Sequence, residues 1–254
     1  MPPAMRRLLP DATLDAIRDA TRNALRDALA VLLPVSCAGC GADDRALCGA
    51  CRSQLEAQPV LRSLADGTTV WAALAYDGVV RRVILALKEQ GRTDVARVLA
   101  VSLTTAVDRA LLHAADRTAG QIELLVPPVS RASFRRRGYD PVWLLARAAG
   151  LPRPARALVN LHERASQKSL DRAQRGTNLA GSMGAPLALN GRRFLVLDDV
   201  ITTGATLSEV VRSLREGGAE VVGAAVVAAT ARHSLGLSSK LEITRDSGAW
   251  RGLR

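Results

Sequence analysis

The chain has 254 residues, enough for one sizeable core with or without a small satellite module. Hydrophobic residues make up 48% and charged residues 23%, which predicts a soluble globular protein. The net charge of +11 is nearly all arginine and favours a phosphate-bearing or nucleic-acid partner, unless codon bias has placed most arginines on solvated faces. Aromatic residues are only 3%, which argues against a base-stacking platform for single strands.

Residues 1–36 predict an amphipathic helix. Apolar residues recur at helical spacing between Asp11 and Leu33, and Pro34 ends the pattern. Acidic residues interrupt the apolar positions, which distinguishes the segment from a secretory signal. No run of 18 apolar residues is present, so we expect no membrane span. These features predict a cytoplasmic protein whose cysteines stay reduced.

A compact cysteine module follows at residues 37–56. Two C-x-x-C pairs, separated by seven residues, hold all the cysteines of the chain: Cys37, Cys40, Cys48 and Cys51. Four thiolates at this spacing suit a tetrahedral zinc ion and leave no open position for water, so the predicted zinc is structural. A redox pair is disfavoured because the two pairs occur together, and an iron–sulfur cluster stays open as an alternative.

The next elements follow the α/β pattern. Residues 57–69 are polar and predict a linker, and residues 70–233 predict one domain. Strands are expected at 70–76, 122–126, 194–197 and 221–229, and helices at 79–88, 94–112, 141–149 and 207–216. Their alternation predicts a parallel sheet flanked by helices. Residues 166–179 are polar without a period and predict a mobile loop or loose helix, and residues 234–254 predict a flexible tail.

Residues 194–206 carry the strongest functional signal. An apolar strand ends in Asp198 and Asp199, and a helix begins after a short loop. Such a loop presents backbone N–H groups to a phosphate. The loop consists of Thr202, Thr203, Gly204, Ala205 and Thr206. The paired acids would accept hydrogen bonds from sugar hydroxyls or orient hydrated Mg²⁺, so the string predicts a site for a phosphorylated ribose.

This string resembles the 5-phosphoribosyl-1-pyrophosphate (PRPP) motif of type I phosphoribosyltransferases. Together with the cysteine module it resembles the ComF family of competence-associated phosphoribosyltransferase-like proteins. Further matches occur in the family's order across roughly residues 10–230. They are Tyr76-x-Gly78-x-x-Arg81-x-x-Ile84-x-x-x-Lys88, Val126-Pro127-Pro128, Arg135-x-Arg137-Gly138-Tyr139, and Gln167, Leu170, Arg175 and Asn178.

The resemblance implies a type I phosphoribosyltransferase fold behind a small N-terminal helix and zinc knuckle. It implies that Asp198 and Asp199 hold the ribose and Mg²⁺ that accompanies PRPP, and that residues 202–206 hold the 5-phosphate. Pyrophosphate would face a loop whose positive charge comes from Arg131, Arg135 and Arg137. A flexible lid would contain Gln167, Arg172, Arg175 and Asn178. The chain departs from the family at Asp140-Pro141, where Asn-Gln is usual.

The resulting hypothesis is transfer of a phosphoribosyl group from PRPP to a nitrogenous acceptor. The alternatives are a ComF-type module for single-stranded DNA or the competence machinery, and a regulator that senses PRPP or a nucleotide. The histidines His113, His162 and His233 are isolated in the sequence, and no catalytic residue is assigned. The sequence leaves the acceptor and the oligomeric state open, and a dimer is compatible with it.

Overall fold

The structure is a computed structural model that describes residues 35–43, 45–115, 121–161 and 181–231. The predicted N-terminal helix, the predicted tail from residue 234 and the predicted lid residues lie outside this part of the chain. Those lid residues are Gln167, Arg172, Arg175 and Asn178.

The residues that the structure describes include seven strands in two sheets. They are β1 (Val60–Ser63), β2 (Thr69–Ala75), β3 (Glu123–Leu125), β4 (Val159–Asn160), β5 (Met183–Gly184), β6 (Arg193–Ile201) and β7 (Glu220–Ala229). The larger sheet has the order β1-β2-β7-β6-β3, in which only β1 is antiparallel to its neighbour. The short strands β4 and β5 form a separate antiparallel pair. The predicted mostly parallel α/β sheet is therefore confirmed.

The helices cover both faces of the larger sheet. They are α1 (Gly49–Ser53), α2 (Gly78–Glu89), α3 (Ala96–Ala115), α4 (Arg131–Arg137), α5 (Pro141–Ala148) and α6 (Ala205–Glu216), with a 3₁₀ turn at Thr93–Val95. Alternate side chains of β6 point to opposite faces. Leu195 and Leu197 join the cluster that α2, α3 and α5 cover, whereas Phe194 and Val196 join the cluster under α6.

The stretch at residues 57–69, predicted as a linker, contributes a strand. β1 pairs with β2 from Val60 opposite Ala72 to Ser63 opposite Thr69. Three of the four β1 residues are exposed because the strand lies at the edge of the sheet. The strand has only four residues, and polar residues and glycine follow it, so the sequence of the stretch did not reveal it.

The cysteine segment packs directly on the domain. Cys37, Cys51, Leu47 and Leu55 belong to the same buried cluster as α2 and α3. The segment is therefore continuous with the main core. Among the described helices, none combines the length and the apolar character needed to cross a bilayer.

Candidate functional site

Asp198 and Asp199 lie within β6, which continues for two residues past Asp199 and ends at Ile201. Asp199 is only 7% exposed, and its Oδ1 and Oδ2 lie 3.1 Å and 3.0 Å from Lys88 Nζ at the end of α2. The Asp198 carboxylate instead accepts a 2.8 Å hydrogen bond from the Asp199 backbone N–H. The two acids thus have different partners, as side-chain alternation along a strand requires.

The electrostatics of this corner favour an added cation or hydrogen-bond donors. Burial and the neighbouring Asp199 charge raise the pKa of Asp198 to about 8, while Lys88 opposes the shift. Burial also raises the pKa of Asp140, against hydrogen bonds from the Trp143 and Val142 backbone N–H groups. The pKa values of Asp198 and Asp140 are thus raised by burial and by Asp199, while Lys88 acts against the shift of Asp198 and Arg137 against that of Asp140. A divalent cation bound here would favour the ionised form of Asp198.

The loop after β6 leaves an open helix N-terminus. Gly204 caps α6 with a φ of +83°, no side chain caps the helix, and its first turn holds no acidic residue. The Ala205 backbone N–H donates to Thr203 Oγ1 at 3.3 Å. A Cβ at Gly204 would lie 2.9 Å from Leu64 Cδ2, so the close approach of β1 also requires glycine. The first amides of this 12-residue helix lack a capping side chain from Gly204, and such a helix start suits an anion.

The three predicted pyrophosphate arginines are separated by the geometry of α4. Arg131 and Arg135 stand four residues apart on one helix face and line a cavity. Arg137 lies on a different face and forms a 3.2 Å ion pair with Glu89 of α2. Residues 131–137 form a helix and not the expected loop, and the assignment of all three arginines to the pyrophosphate stays a prediction.

The cavity at the end of β3 has a volume of about 1100 Å³. It combines arginines with aromatic side chains: Arg131, Arg135, Arg147, Arg153, Arg156, Phe134, Tyr139 and Trp143. The guanidinium of Arg156 lies 5.0 Å from the centre of the Trp143 ring. Three of the seven aromatic residues of the chain meet here, so its low aromatic content concealed a local cluster that could stack bases.

The unusual Asp140-Pro141 pair has a local structural explanation. The Asp140 side chain caps α5 by accepting from the Val142 and Trp143 backbone N–H groups at 3.0 Å and 3.3 Å. Pro141 occupies the first helical turn, where its missing N–H costs nothing. The pair therefore serves to start α5 beside the cavity.

The four cysteines form a cluster whose sulfur atoms lie within 4.8 Å of one another. Cys40 Sγ and Cys48 Sγ are 3.7 Å apart, and tetrahedral zinc with bonds of about 2.3 Å predicts about 3.8 Å between sulfurs. The backbone N–H groups of Gly39 and Cys48 donate to Cys37 Sγ at 3.4 Å. The donor set and its spacing fit one metal ion such as zinc.

The electrostatics of the cluster also favour a bound cation. Burial opposes ionisation of Cys37, yet hydrogen bonds from the backbone outweigh it and lower the pKa of that thiol to about 6. Burial and hydrogen bonds with the other thiols raise the pKa of Cys51 to about 12. Four thiolates at this separation require positive charge between them. Arg92 braces the cluster through the carbonyls of Ser36, at 2.9 Å, and Ala46, at 3.3 Å.

Comparison with known proteins identifies the domain. The family model described as the phosphoribosyl transferase domain matches residues 159–246, which include β6, the acidic pair and α6. This part of the chain is thus similar to the phosphoribosyl transferase domain. The predicted fold class and the resemblance to ComF-type phosphoribosyltransferase-like chains are thereby confirmed.

The chain is similar to proteins of two kinds among those compared. The chain is 26% identical over 197 residues to the DNA utilization protein YhgH of Escherichia coli O157:H7, covering 73% of the chain and 85% of that protein. It is 49% identical over 51 residues to the adenine phosphoribosyltransferase of Mycobacterium marinum, covering 19% of the chain and 28% of that enzyme. The adenine phosphoribosyltransferase structure from Leishmania tarentolae matches with a TM-score of 0.32 and 13% identity, covering 67% of this chain and 94% of that one.

Proposed function

We propose that the chain binds PRPP with Mg²⁺ and transfers its phosphoribosyl group to a nitrogenous acceptor. The observation that carries the proposal is the pair Asp198 and Asp199 on β6, immediately before an uncapped helix N-terminus. One short loop thus connects two carboxylates, which can accept hydrogen bonds from sugar hydroxyls, to backbone amides, which can donate to a phosphate. The matching family model spans this same segment.

Each part of PRPP has a candidate partner. Asp198 and Asp199 would hold the ribose hydroxyls and hydrated Mg²⁺, and Lys88 would hold the Asp199 side chain in place through their ion pair. The 5-phosphate would bind the loop residues Thr202, Thr203, Gly204, Ala205 and Thr206. Arg131 and Arg135 would face the pyrophosphate, whose negative charge grows as it leaves the anomeric carbon. Residues of the predicted lid, around Arg172, would exclude water.

The matched test compares acidic residues inside and outside the site. We expect PRPP with Mg²⁺ to bind the full chain in isothermal titration calorimetry, and D198N/D199N to weaken binding at least about tenfold, since hydrogen bonds to charged groups are lost. D108N on the exposed face of α3 should bind as the wild type does. Pyrophosphate release with a panel of bases and amines would then identify the acceptor. Absence of PRPP binding, or unchanged binding by the double variant, would refute the proposal.

A second candidate is a module for single-stranded DNA, favoured by the cavity that joins Trp143 to Arg153 and Arg156. The relatives named DNA utilization proteins support it as well. R153A/R156A should weaken binding to a single-stranded oligonucleotide. It should also make the binding constant less dependent on salt concentration, because fewer phosphate contacts release fewer counterions. D198N/D199N should leave oligonucleotide binding unchanged. Equal binding by R153A/R156A and the wild type would remove this candidate.

Two further assignments complete the proposal. The cysteine cluster would hold structural zinc. Such a site needs reduced thiols, and the cytoplasm is the compartment that keeps thiols reduced. If PRPP binds tightly and no acceptor supports turnover, the site would act as a sensor of PRPP or a nucleotide. That outcome would keep the binding part of the proposal and reject the transferase part.

A further inference from the structure

The cavity at the end of β3 is larger than a pyrophosphate group requires. Its volume is about 1100 Å³, whereas cavities that hold drug-sized ligands have volumes of about 300–1,000 Å³. Arg131 and Arg135 of α4 line it, and Arg147, Arg153 and Arg156 line it from α5 and the segment that follows. The cavity therefore has room for a second chemical group beside a pyrophosphate.

The arginines of α5 and the following segment bring positive charge that no described acid balances. Arg147, Arg153 and Arg156 form no ion pair with any carboxylate in the part of the chain that the structure describes. Of the described residues that line the cavity, only Asp140 is acidic, and its carboxylate caps α5. The three arginines are exposed, so their guanidinium groups are available to an acidic ligand from solvent.

A flat aromatic surface lies beside this charge. The guanidinium groups of Arg156 and Arg153 lie 5.0 Å and 5.9 Å from the centre of the Trp143 ring. The other walls are largely apolar and include Pro127, Pro128, Leu144, Leu151, Pro154 and Leu158. An aromatic ring that carries an oxyanion matches both features, because the ring packs on apolar walls and the oxyanion pairs with a guanidinium.

The cavity adjoins the acidic pair of β6. The strand β3, which ends at the cavity wall, pairs in parallel with β6, with Leu125 opposite Val196. Asp140 lines the cavity, and burial together with the nearby charge of Asp199 raises the pKa of Asp140. A ligand in the cavity would therefore lie next to a ribose held by the acidic pair.

We propose that the acceptor is an aromatic amine or N–H heterocycle that carries a carboxylate or a phosphate group. Arg153 and Arg156 would bind the acidic group, and Trp143 would contact the ring. The acceptor nitrogen would bond to the anomeric carbon of PRPP as the bond from that carbon to the pyrophosphate oxygen breaks. Pyrophosphate would leave with the electron pair and take up the proton that the nitrogen loses. This inference rests on the proposed function for the reaction, whereas binding of the aromatic acid does not require PRPP.

Calorimetry on the full chain can compare probes that differ only in the acidic group. The first set is 3-aminobenzoate, 3-aminophenyl phosphate and aniline, and the second is pyrazole-3-carboxylate and pyrazole. We expect an acidic member of at least one set to bind about tenfold or more tightly than its neutral counterpart, since charge-assisted hydrogen bonds are added. The order of the carboxylate and the phosphate probes identifies the acidic group.

Arginine variants assign the effect to the cavity. R153A/R156A should abolish the preference for the acidic probe, and R153K/R156K should keep part of it, since lysine retains the charge but lacks the planar fork. Both variants should bind PRPP with Mg²⁺ as the wild type does. The control R97A/R109A removes two exposed arginines of α3 and should leave the preference unchanged.

The outcomes separate this inference from the proposed function. If PRPP binds but the acidic probes bind no better than the neutral ones, or R153A/R156A keeps the preference, the inference is refuted and the proposed function stands. If the acidic probes bind through the two arginines and PRPP does not bind, the site for an aromatic acid stands and the acceptor role falls with the proposed function. Binding of a single-stranded oligonucleotide through Arg153 and Arg156, without binding of the acidic probes, would overturn the inference in favour of the second candidate.

Discussion

At the scale of single residues, the contact between Lys88 and Asp199 connects the sheet to α2. The sequence separates the pair by 111 residues, and the structure brings Lys88 Nζ within 3.1 Å of both carboxylate oxygens. The Asp199 side chain is 10% exposed and that of Lys88 27%, so water screens the pair only partly. Removing the lysine would leave a buried carboxylate without its counter-charge.

We therefore expect K88M to be less stable than the wild type by about 2 kcal/mol, a value reduced from the buried-pair range because Lys88 is partly exposed. The conservative K88R variant keeps the charge and should recover most of the loss. Chemical denaturation measures both. Equal stability of K88M and the wild type would show that the pair contributes nothing net to folding.

Gly204 offers a matched comparison with Gly67. Both have a φ of +83°, but a Cβ at Gly67 would meet nothing within 4 Å, whereas one at Gly204 would meet Leu64. Backbone strain should cost each alanine variant about 1 kcal/mol, and G204A should lose more because Leu64 must move. Only G204A should weaken binding of ribose 5-phosphate. If the two variants lose equal stability, the contact with Leu64 is unimportant.

At the scale of elements, Glu209 joins the short strand β5 to α6. It is 4% exposed, accepts from the Met183 backbone N–H at 2.9 Å, and pairs with Arg212 Nε at 2.7 Å. Burial alone would raise the pKa of Glu209, but the hydrogen bonds from Arg212 and from backbone N–H groups outweigh it and lower the pKa. The carboxylate therefore stabilises the fold most when it is ionised.

We expect E209Q to lose about 2 kcal/mol at neutral pH, since an amide still accepts from Met183 but loses the ion pair. The pKa of the folded state lies below the ordinary value of 4.5, so the advantage of the wild type is complete above that value. It should disappear as the pH falls through the folded-state pKa. Denaturation at several pH values measures the difference, and a difference that grows towards low pH would contradict this account.

The helices and strands that could be predicted from the sequence are those whose pattern of apolar and turn residues lies within one short stretch. β6 and α6 follow from an apolar run, a Gly-containing turn and a helical period, which lie within one short stretch. The strands β4 and β5 have two residues each and no period, and β1 is a four-residue edge strand whose residues do not alternate between apolar and polar. The role of Lys88 also depends on its contact with Asp199, which is distant in the sequence. Such contacts leave no trace in the spacing of neighbouring residues.

At the scale of the whole molecule, the cysteine cluster shares a core with the phosphoribosyl transferase domain. Cys37 and Cys51 are 3% and 2% exposed, in the same cluster as Ile84 and Leu99. Metal at the cluster should therefore stabilise the domain as a unit, since ligands that bind only the native state shift its unfolding equilibrium.

We expect about one zinc per chain in protein purified under reducing conditions, because four thiolates complete a tetrahedral site. A strong chelator should lower the melting temperature of the entire domain in one transition, and C51S should do the same without chelator. Metal analysis and calorimetry measure these effects. A metal-free protein whose melting temperature ignores chelator would contradict the assignment, and visible absorption from bound iron would identify the cluster alternative.

One helix, α2, contacts both candidate sites. Arg82 in its middle donates to the carbonyl of Gly39 between two of the cysteines, and Lys88 near its end binds Asp199. Six residues separate these contacts, about 9 Å along a helix axis. The same helix therefore contacts the cysteine segment and the acidic pair, and any coupling between binding at the two sites has a direct physical route. Linkage is reciprocal, so any factor by which metal strengthens sugar-phosphate binding must equal the factor by which the sugar phosphate strengthens retention of the metal.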